Sequence, residues 1–449
     1  MANNLTEGSP ARVILSFSLP IIIGNVFQQI YNFADTVIVG RFVNYQALAG
    51  VGITGGLTFL ILGFVWGITA GLGIRTAQLV GARDAVRVRR SVGTSLVICL
   101  FLTVFLTLIA LLTVRPMLNM MQTGPEIYEY ARVYLVIVFS GIYAQVAFNM
   151  ISCILRALGD SRTPLYFLIL SSVMNVILDL LFIVKFGWGV KGAGIATVLS
   201  QVASAALCFR FAFNRYPEIR LSSTDFRLDW PFAWEHLRLG FPMAFQFSIT
   251  ALGIVILQAA LNGFPSTYIA GFTAAGKVQN LCVLIPISFG VAIASYAGQN
   301  YGAGKIDRVR RGVNVTLVMI LCVCVVMSTV MVVFATPFTS LFIDSSTDAA
   351  DMVQIYEASR KYLYVSALFF PFLYMIFLYR NALQGVGKTF WPLMAGVLEL
   401  VIRTVSSMIL PGIFGYNGIV MVDVLSWLGA CIMLMVSYFI QMPKENPVP

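Results

Sequence analysis

The stretch QLVGARDAVRVRRSV, Gln78 to Val92, is nearly repeated as QNYGAGKIDRVRRGV, Gln299 to Val313. The second copy lies 221 residues later and keeps eight of fifteen positions. Each copy is a short basic turn set between long apolar runs, so what these turns are decides what the chain is. Of its 449 residues, 59% are apolar and 11% are charged, against about 25% charged in a soluble domain. An aqueous protein has no way to hide so much apolar surface, so most of the chain must face lipid or pack against segments that do.

A bilayer core about 30 Å thick needs roughly 20 apolar residues per helix. Read against the breaker clusters, the runs give twelve spans, near 12–40, 47–80, 91–114, 128–155, 163–185, 191–213, 235–262, 267–298, 311–336, 356–383, 390–411 and 416–440. A lipid-facing span must satisfy its own backbone hydrogen bonds, so these are helices. The opening MANNLTEGSPARVILSFSLP has no basic region leading into a short apolar run and a cleavage site. It reads as a retained first span, with Ser9 as cap and Pro10 in the first turn.

The basic residues orient the spans. With the amino terminus cytoplasmic, 19 of the 29 Lys and Arg fall inside, 7 outside and 3 within spans. That asymmetry is the positive-inside signal and puts both termini in the cytoplasm. The net charge of +10 then reflects topology and anionic headgroups, and no nucleic-acid partner is expected of the two RVRR turns. Seven cysteines, an odd number without metal or disulfide spacing, read as small packing residues.

Both basic turns join an even-numbered span to an odd one, at the same place in two six-span halves. Other echoes agree: FSLP (Phe17–Pro20) with LGFP (Leu239–Pro242), ALAGVG (Ala47–Gly52) with YIAGFT (Tyr268–Thr273), and LRALGDSRTPL (Leu155–Leu165) with LQGVGKTFWPL (Leu383–Leu393). The expected fold is an all-α polytopic membrane protein of twelve transmembrane helices, in two six-helix lobes related by a pseudo-twofold along the membrane normal. The lobes are residues 1–213 and 231–449, joined by a cytoplasmic linker at 214–230. Two such lobes rocking about a central site is a transporter design.

Ionisable groups inside spans cost about 2.5–3.5 kcal/mol even on mild scales, so each is a functional candidate. Asp35 and Asp179 lie five and six residues below the outer ends of the first and fifth spans, and Thr197 lies six below the start of the sixth. At 1.5 Å per residue all three sit about 8–9 Å beneath the outer boundary. Asn175 shares the face of Asp179 one turn deeper. Two carboxylates, an amide and a hydroxyl suit a hard cation such as Na⁺. They equally suit a shared proton, because two nearby carboxylates in low dielectric cannot both ionise cheaply. No other metal site and no cofactor is expected.

The second half has a different set: Lys277, Glu399, Arg403 and Asp423. Glu399 and Arg403 are spaced to pair on one helix, and Lys277 either pairs with Asp423 or touches substrate. At the offset of 228 from the third echo, Arg403 takes the place of Asn175. A guanidinium there repels a cation, so one lobe is expected to couple and the other to support. Pro20, Pro242, Pro286 and Pro371 interrupt spans, and Pro20, matched by Pro242, is the expected gating bend. The single histidine, His236, falls near a cytoplasmic helix start, where it caps or meets headgroups. Nothing has the spacing of a nucleophilic or metal-enzyme site, so the chain is not expected to be an enzyme.

The opening SLPIIIGNVFQQIYNFADTVIVGRF, the turn LRALGDSRTP and the pair Asn175/Asp179 resemble the multidrug and toxic compound extrusion (MATE) transporters over essentially the whole chain. The resemblance implies efflux of organic, often cationic, compounds driven by inward Na⁺ or H⁺, across a prokaryotic plasma membrane and by a monomer in contact with lipid. It assigns a cation site to Asp35, Asn175, Asp179 and Thr197, with Tyr31 at its edge. One branch carries an acidic residue in the seventh span. None lies between Leu237 and Asn262 here, and the pattern is nearer the prokaryotic branch named for the DNA-damage-inducible protein F. The alternative is a lipid-linked-oligosaccharide flippase of the same superfamily, which needs a strongly basic cavity.

Overall fold

The computed structural model describes residues 4–343 and 348–442. Among these the chain is helical throughout: α1 (Pro10–Phe42), α2 (Tyr45–Gly81), α3 (Ala85–Met120), α4 (Pro125–Ser140), α5 (Ile142–Ala157), α6 (Arg162–Asp179), α7 (Val190–Arg215), α8 (Trp230–Leu261), α9 (Ser266–Gly302), α10 (Ile306–Val333), α11 (Ala335–Ser340), α12 (Ala349–Gly385), α13 (Phe390–Phe414) and α14 (Tyr416–Gln441). Among the described residues eleven helical spans are long and apolar enough to cross a membrane, and there are twelve when α4 and α5, bent by 48° at their junction, are counted as one. The protein is a multi-pass membrane protein. The expectation for its carboxyl terminus falls on residues 443–449, outside the described residues.

Pro20, Pro242, Pro286 and Pro371 sit inside helices that run on through them. The break in a span falls instead at Gly141, between α4 and α5, where a Cβ would strike the Val198 side chain of α7. The carbonyls a proline frees are satisfied by local adjustment and neighbouring groups, so a proline need not end a span. α6 passes directly into a π-helical turn, Leu180–Lys185.

The chain divides into two compact units. The first is Met1–Glu7, Ser16–Ser248 and Gly298–Lys305. Its main core joins Leu57, Val65 and Leu72 of α2 to Val92 and Leu118 of α3, Leu135 and Phe139 of α4, Met150 and Ile154 of α5, and Cys208 of α7. In lipid such packing is held by close van der Waals fit and not by exclusion from water. The two copies of the repeated motif meet in this unit. Gly81 backs onto the carbonyl of Gln299, and Gly302 backs onto the carbonyl of Gln78, each too closely to admit a Cβ. The reciprocal contact explains why both copies keep Gly at this place: only a residue without a side chain lets backbone meet backbone. The Gln299 side chain accepts from the Leu5 N–H at 3.0 Å and donates to the Ala157 carbonyl at 2.7 Å. In the basic turn itself Arg90 pairs with Asp229 at 2.7 Å.

The stretch between α7 and α8 is ordered. Two short 3₁₀ turns, Pro217–Ile219 and Ser223–Phe226, lie against α3. Ile219 is buried in the main core, and Tyr216 donates to Asp160 at 2.6 Å. Burial and the Asp160 carboxylate together hold the Tyr216 phenol above the usual tyrosine range. His236 departs from expectation: it is fully buried and touches no headgroup. Its Nδ1 bonds the Phe232 carbonyl at 2.8 Å and its Nε2 the Ser91 hydroxyl at 2.7 Å, which in turn lies 2.9 Å from the hydroxyl of Thr76. Because α8 starts at Trp230, His236 is more than a turn inside the helix and faces α3.

The second unit is Gly8–Leu15, Ile249–Ala297 and Ile306–Pro449. Here α14 packs against α12 and α13. Phe370 makes tilted ring contacts with Tyr374 and Trp427, and the Tyr374 hydroxyl donates to the Cys282 carbonyl at 3.0 Å. All seven cysteines are free thiols, and only Cys322 is exposed.

Candidate functional site

Asp35 lies in α1 one turn before Val39. Ile38 and Val39 pack with Ile183 of the π turn and with Val190 and Ala193 of α7. That apolar contact turns the preceding residues of α1 towards the end of α6, where Asp179 stands at the change from α to π geometry. Such π turns recur at functional sites because they re-aim the side chains beside them. Asp179 and Asn175 are 0% and 1% exposed, and Asp35 is buried as well.

The two carboxyl groups are close enough to act on each other electrostatically. No salt bridge reaches either from a Lys or Arg among the described residues. The Asn175 Nδ2 donates to Thr197 Oγ1 at 3.4 Å, and the Thr197 hydroxyl donates to the Ala193 carbonyl at 3.0 Å. With its amide oriented in this way, Asn175 presents its oxygen. The result is a cluster of acceptors: Asp35 Oδ1, Asn175 Oδ1 and both oxygens of Asp179 are buried with no hydrogen-bond donor. Buried acceptors ordinarily find partners, so this set fits a species that brings positive charge, either a hard monovalent cation or a proton shared by the carboxyls. Tyr31 lies within electrostatic reach of both carboxylates. So does Tyr134 of α4, which the sequence reading missed. A tyrosine in an apolar run carries no local mark, and only its register with Tyr362 of the second half would have singled it out.

In the second unit Glu399, Arg403 and Asp423 come together, and Lys277 does not join them. Arg403 pairs with Glu399 at 3.1 Å and with Asp423 at 3.0 Å. One guanidinium nitrogen, Nη2, reaches both acids, so the expected Lys277–Asp423 alternative gives way. Lys277 instead lies over the Phe342 ring at 4.9 Å. Three partners were missed. Arg380 of α12 is buried and pairs with Glu399 at 3.3 Å. Tyr362 donates to Asp423 at 3.2 Å and also to Gln279. The cluster is charge-balanced, two guanidinium groups against two carboxylates, whereas the first-unit site is acidic alone.

A family model described as MatE matches residues 20–181 and 242–409, segments that begin at Pro20 and Pro242. Among similar proteins is one from Bacillus subtilis (strain 168) described as "Probable multidrug resistance protein YpnP". It is 26% identical over 423 residues, covering 93% of this chain and 92% of that protein. Another, from Thermotoga maritima, is described as "Probable multidrug resistance protein NorM" and is 26% identical over 396 residues, 86% of this chain and 82% of that protein. A solved structure described as the outward-facing conformation of a multidrug resistance MATE family transporter of the MOP superfamily superposes with a TM-score of 0.91 at 23% identity, over 98% of both chains. This last likeness establishes the fold.

Proposed function

This chain belongs to the MatE family, and on that premise we propose that it is a secondary active multidrug exporter of a prokaryotic plasma membrane, driven by inward Na⁺ or H⁺. The observation that carries the coupling is the set of four buried, donor-less oxygens on Asp35, Asn175 and Asp179. The relatives described as multidrug resistance proteins support the export of organic compounds.

In this reading both termini are cytoplasmic, and residues 1–213 and 231–449 form two lobes joined by residues 214–230. Opened to the outside, the site takes up one cation between Asp35 and Asp179, with the Asn175 oxygen and the Thr197 hydroxyl completing its oxygen ligands. Neutralising the carboxylates repacks α1 about Pro20, weakens substrate contacts and releases the drug outward. The ion-loaded lobes then rock inward, and the ion leaves to the cytoplasm. Coupling requires only that ion and substrate favour different states by a few kcal/mol. Tyr31 and Tyr134 border the site and shape its dielectric.

The test is efflux of a fluorescent organic cation from proteoliposomes under separately imposed Na⁺ and pH gradients. Wild type should respond to at least one gradient and Asp35→Asn to neither. Gradient-driven efflux by Asp35→Asn at the wild-type rate would refute the assignment.

A further inference from the structure

The two units repeat the same local construction around different chemistry. Gly189 and Gly415 occupy the same left-handed turn before α7 and α14, with φ/ψ of 55/−137° and 56/−135°. Counting on from these glycines sets Thr197 against Asp423. The offset of 228 sets Asn175 of α6 against Arg403 of α13, and Tyr134 of α4 against Tyr362 of α12. The FSLP/LGFP echo sets Tyr31 of α1 against Gly253 of α8.

The contacts follow that register. In the first unit Asn175 donates to Thr197 at 3.4 Å. In the second, Arg403 pairs with Asp423 at 3.0 Å. Tyr134 neighbours the acidic pair, and Tyr362 bonds Asp423. At the counterpart of Tyr31 stands Gly253, and a Cβ there would lie 2.5 Å from Arg403 Nη1. The second unit thus gives up a side chain where its own guanidinium needs room. We infer that the second unit keeps the frame of the first unit's cation site and fills it permanently with a built-in cation, the Arg403 guanidinium, seated in the space left by Gly253.

This inference rests on the proposed uptake of a monovalent cation by the first unit, and it names the reason the second takes up none. The Arg403 guanidinium, held between Glu399 and Asp423, is a tethered monovalent cation. Each transport cycle then moves cations through the Asp35/Asp179 site alone.

The test empties the second site where the first is silent. The full-length protein carrying Asp35→Asn is compared with Asp35→Asn/Arg403→Asn by thermal unfolding in Na⁺-free buffer. Millimolar NaCl or methylguanidinium chloride is then added, with choline chloride as control. The double variant should unfold several degrees below Asp35→Asn and recover saturably with methylguanidinium or Na⁺, whereas Asp35→Asn alone responds to neither. A double variant that no small cation restores overturns the inference. Because Asp35 is already replaced, that result is independent of whether the first site couples transport. Should the double variant fail to fold, Gly253→Ala is compared in the wild-type and Arg403→Lys backgrounds. The drop in unfolding temperature should be several-fold smaller in the Arg403→Lys background, because a lysine side chain has no Nη1 to meet the added methyl. Equal drops in both backgrounds would also overturn the inference.

Discussion

Replacing Asp35 with Asn should stabilise the ion-free protein while abolishing coupling. In wild type, Asp35 Oδ1 and both Asp179 oxygens are buried without a donor, and a buried unsatisfied acceptor costs about 1–3 kcal/mol. The Asn side chain has nearly the shape of Asp and brings an N–H pointing at Asp179. A hydrogen bond to a charged group contributes about 1.5–3 kcal/mol, so a net gain on the order of 2 kcal/mol is expected. At roughly 2 cal/mol/K of unfolding entropy per residue, a chain of 449 residues gives a rise in unfolding temperature of about 2 °C. The assay is intrinsic-fluorescence melting in detergent, in alkaline Na⁺-free buffer, where neither candidate ion is abundant. On adding Na⁺ or lowering the pH, wild type should gain stability and Asp35→Asn should not, so that the difference between them closes. The reasoning fails if Asp35→Asn melts below wild type in the ion-poor buffer, or if it keeps the full ion-dependent rise. A more stable but uncoupled variant is the trade-off expected where a site holds unsatisfied groups for function.

Thr197→Val should weaken cation binding about tenfold, equivalent to about 1.4 kcal/mol, while Thr197→Ser should stay near wild type; cation titration of the purified protein separates the two. Ser91→Ala strands the His236 imidazole in a buried position and should cost about 1–3 kcal/mol, read as a melting temperature lower by about 1–3 °C, with gradient-driven efflux retained at permissive temperature. Tyr216→Phe removes the donor to Asp160 and should cost about 1 kcal/mol. The Tyr216 phenol is held above the ordinary tyrosine value by burial and then by Asp160. Its contribution is therefore complete below pH ~10 and is lost as pH rises from there through the raised folded value. The stability gap between wild type and Tyr216→Phe should accordingly stay flat from neutral pH to about pH 10.

Much of the acidic site was legible because its residues obey local rules. Asn175 and Asp179 are one turn apart on one helix, and Asp35 and Thr197 are expensive or oxygen-bearing side chains at matching depth. Other features depend on helix packing, which no local pattern encodes. His236 looked like a headgroup residue because its helix was expected to start near residue 235. An earlier start at Trp230 carries it inward against Ser91. Arg380 lies in α12, and only the packing of that helix sets its guanidinium beside Glu399. Lys277 and Arg403 carry equal charge in the sequence. Helix packing seats Arg403 beside Gly253 within reach of Asp423 and leaves Lys277 over the Phe342 ring. The prolines marked where bends are permitted, and the break went to Gly141, which is set by contact with Val198. The repeated QxxG motif was visible at once, but its purpose needed the structure: Gly81 and Gly302 each accommodate the other copy's backbone.

The central claim is that Asp35, Asn175, Asp179 and Thr197 bind the coupling ion directly. Equilibrium binding of Na⁺ to the purified wild-type protein and to Asp179→Asn, measured over a range of pH, tests this with no substrate present. The account predicts a single saturable site in wild type, either for Na⁺ or for a proton taken up in its place, and its loss in Asp179→Asn. Unchanged ion or proton uptake by Asp179→Asn would contradict it.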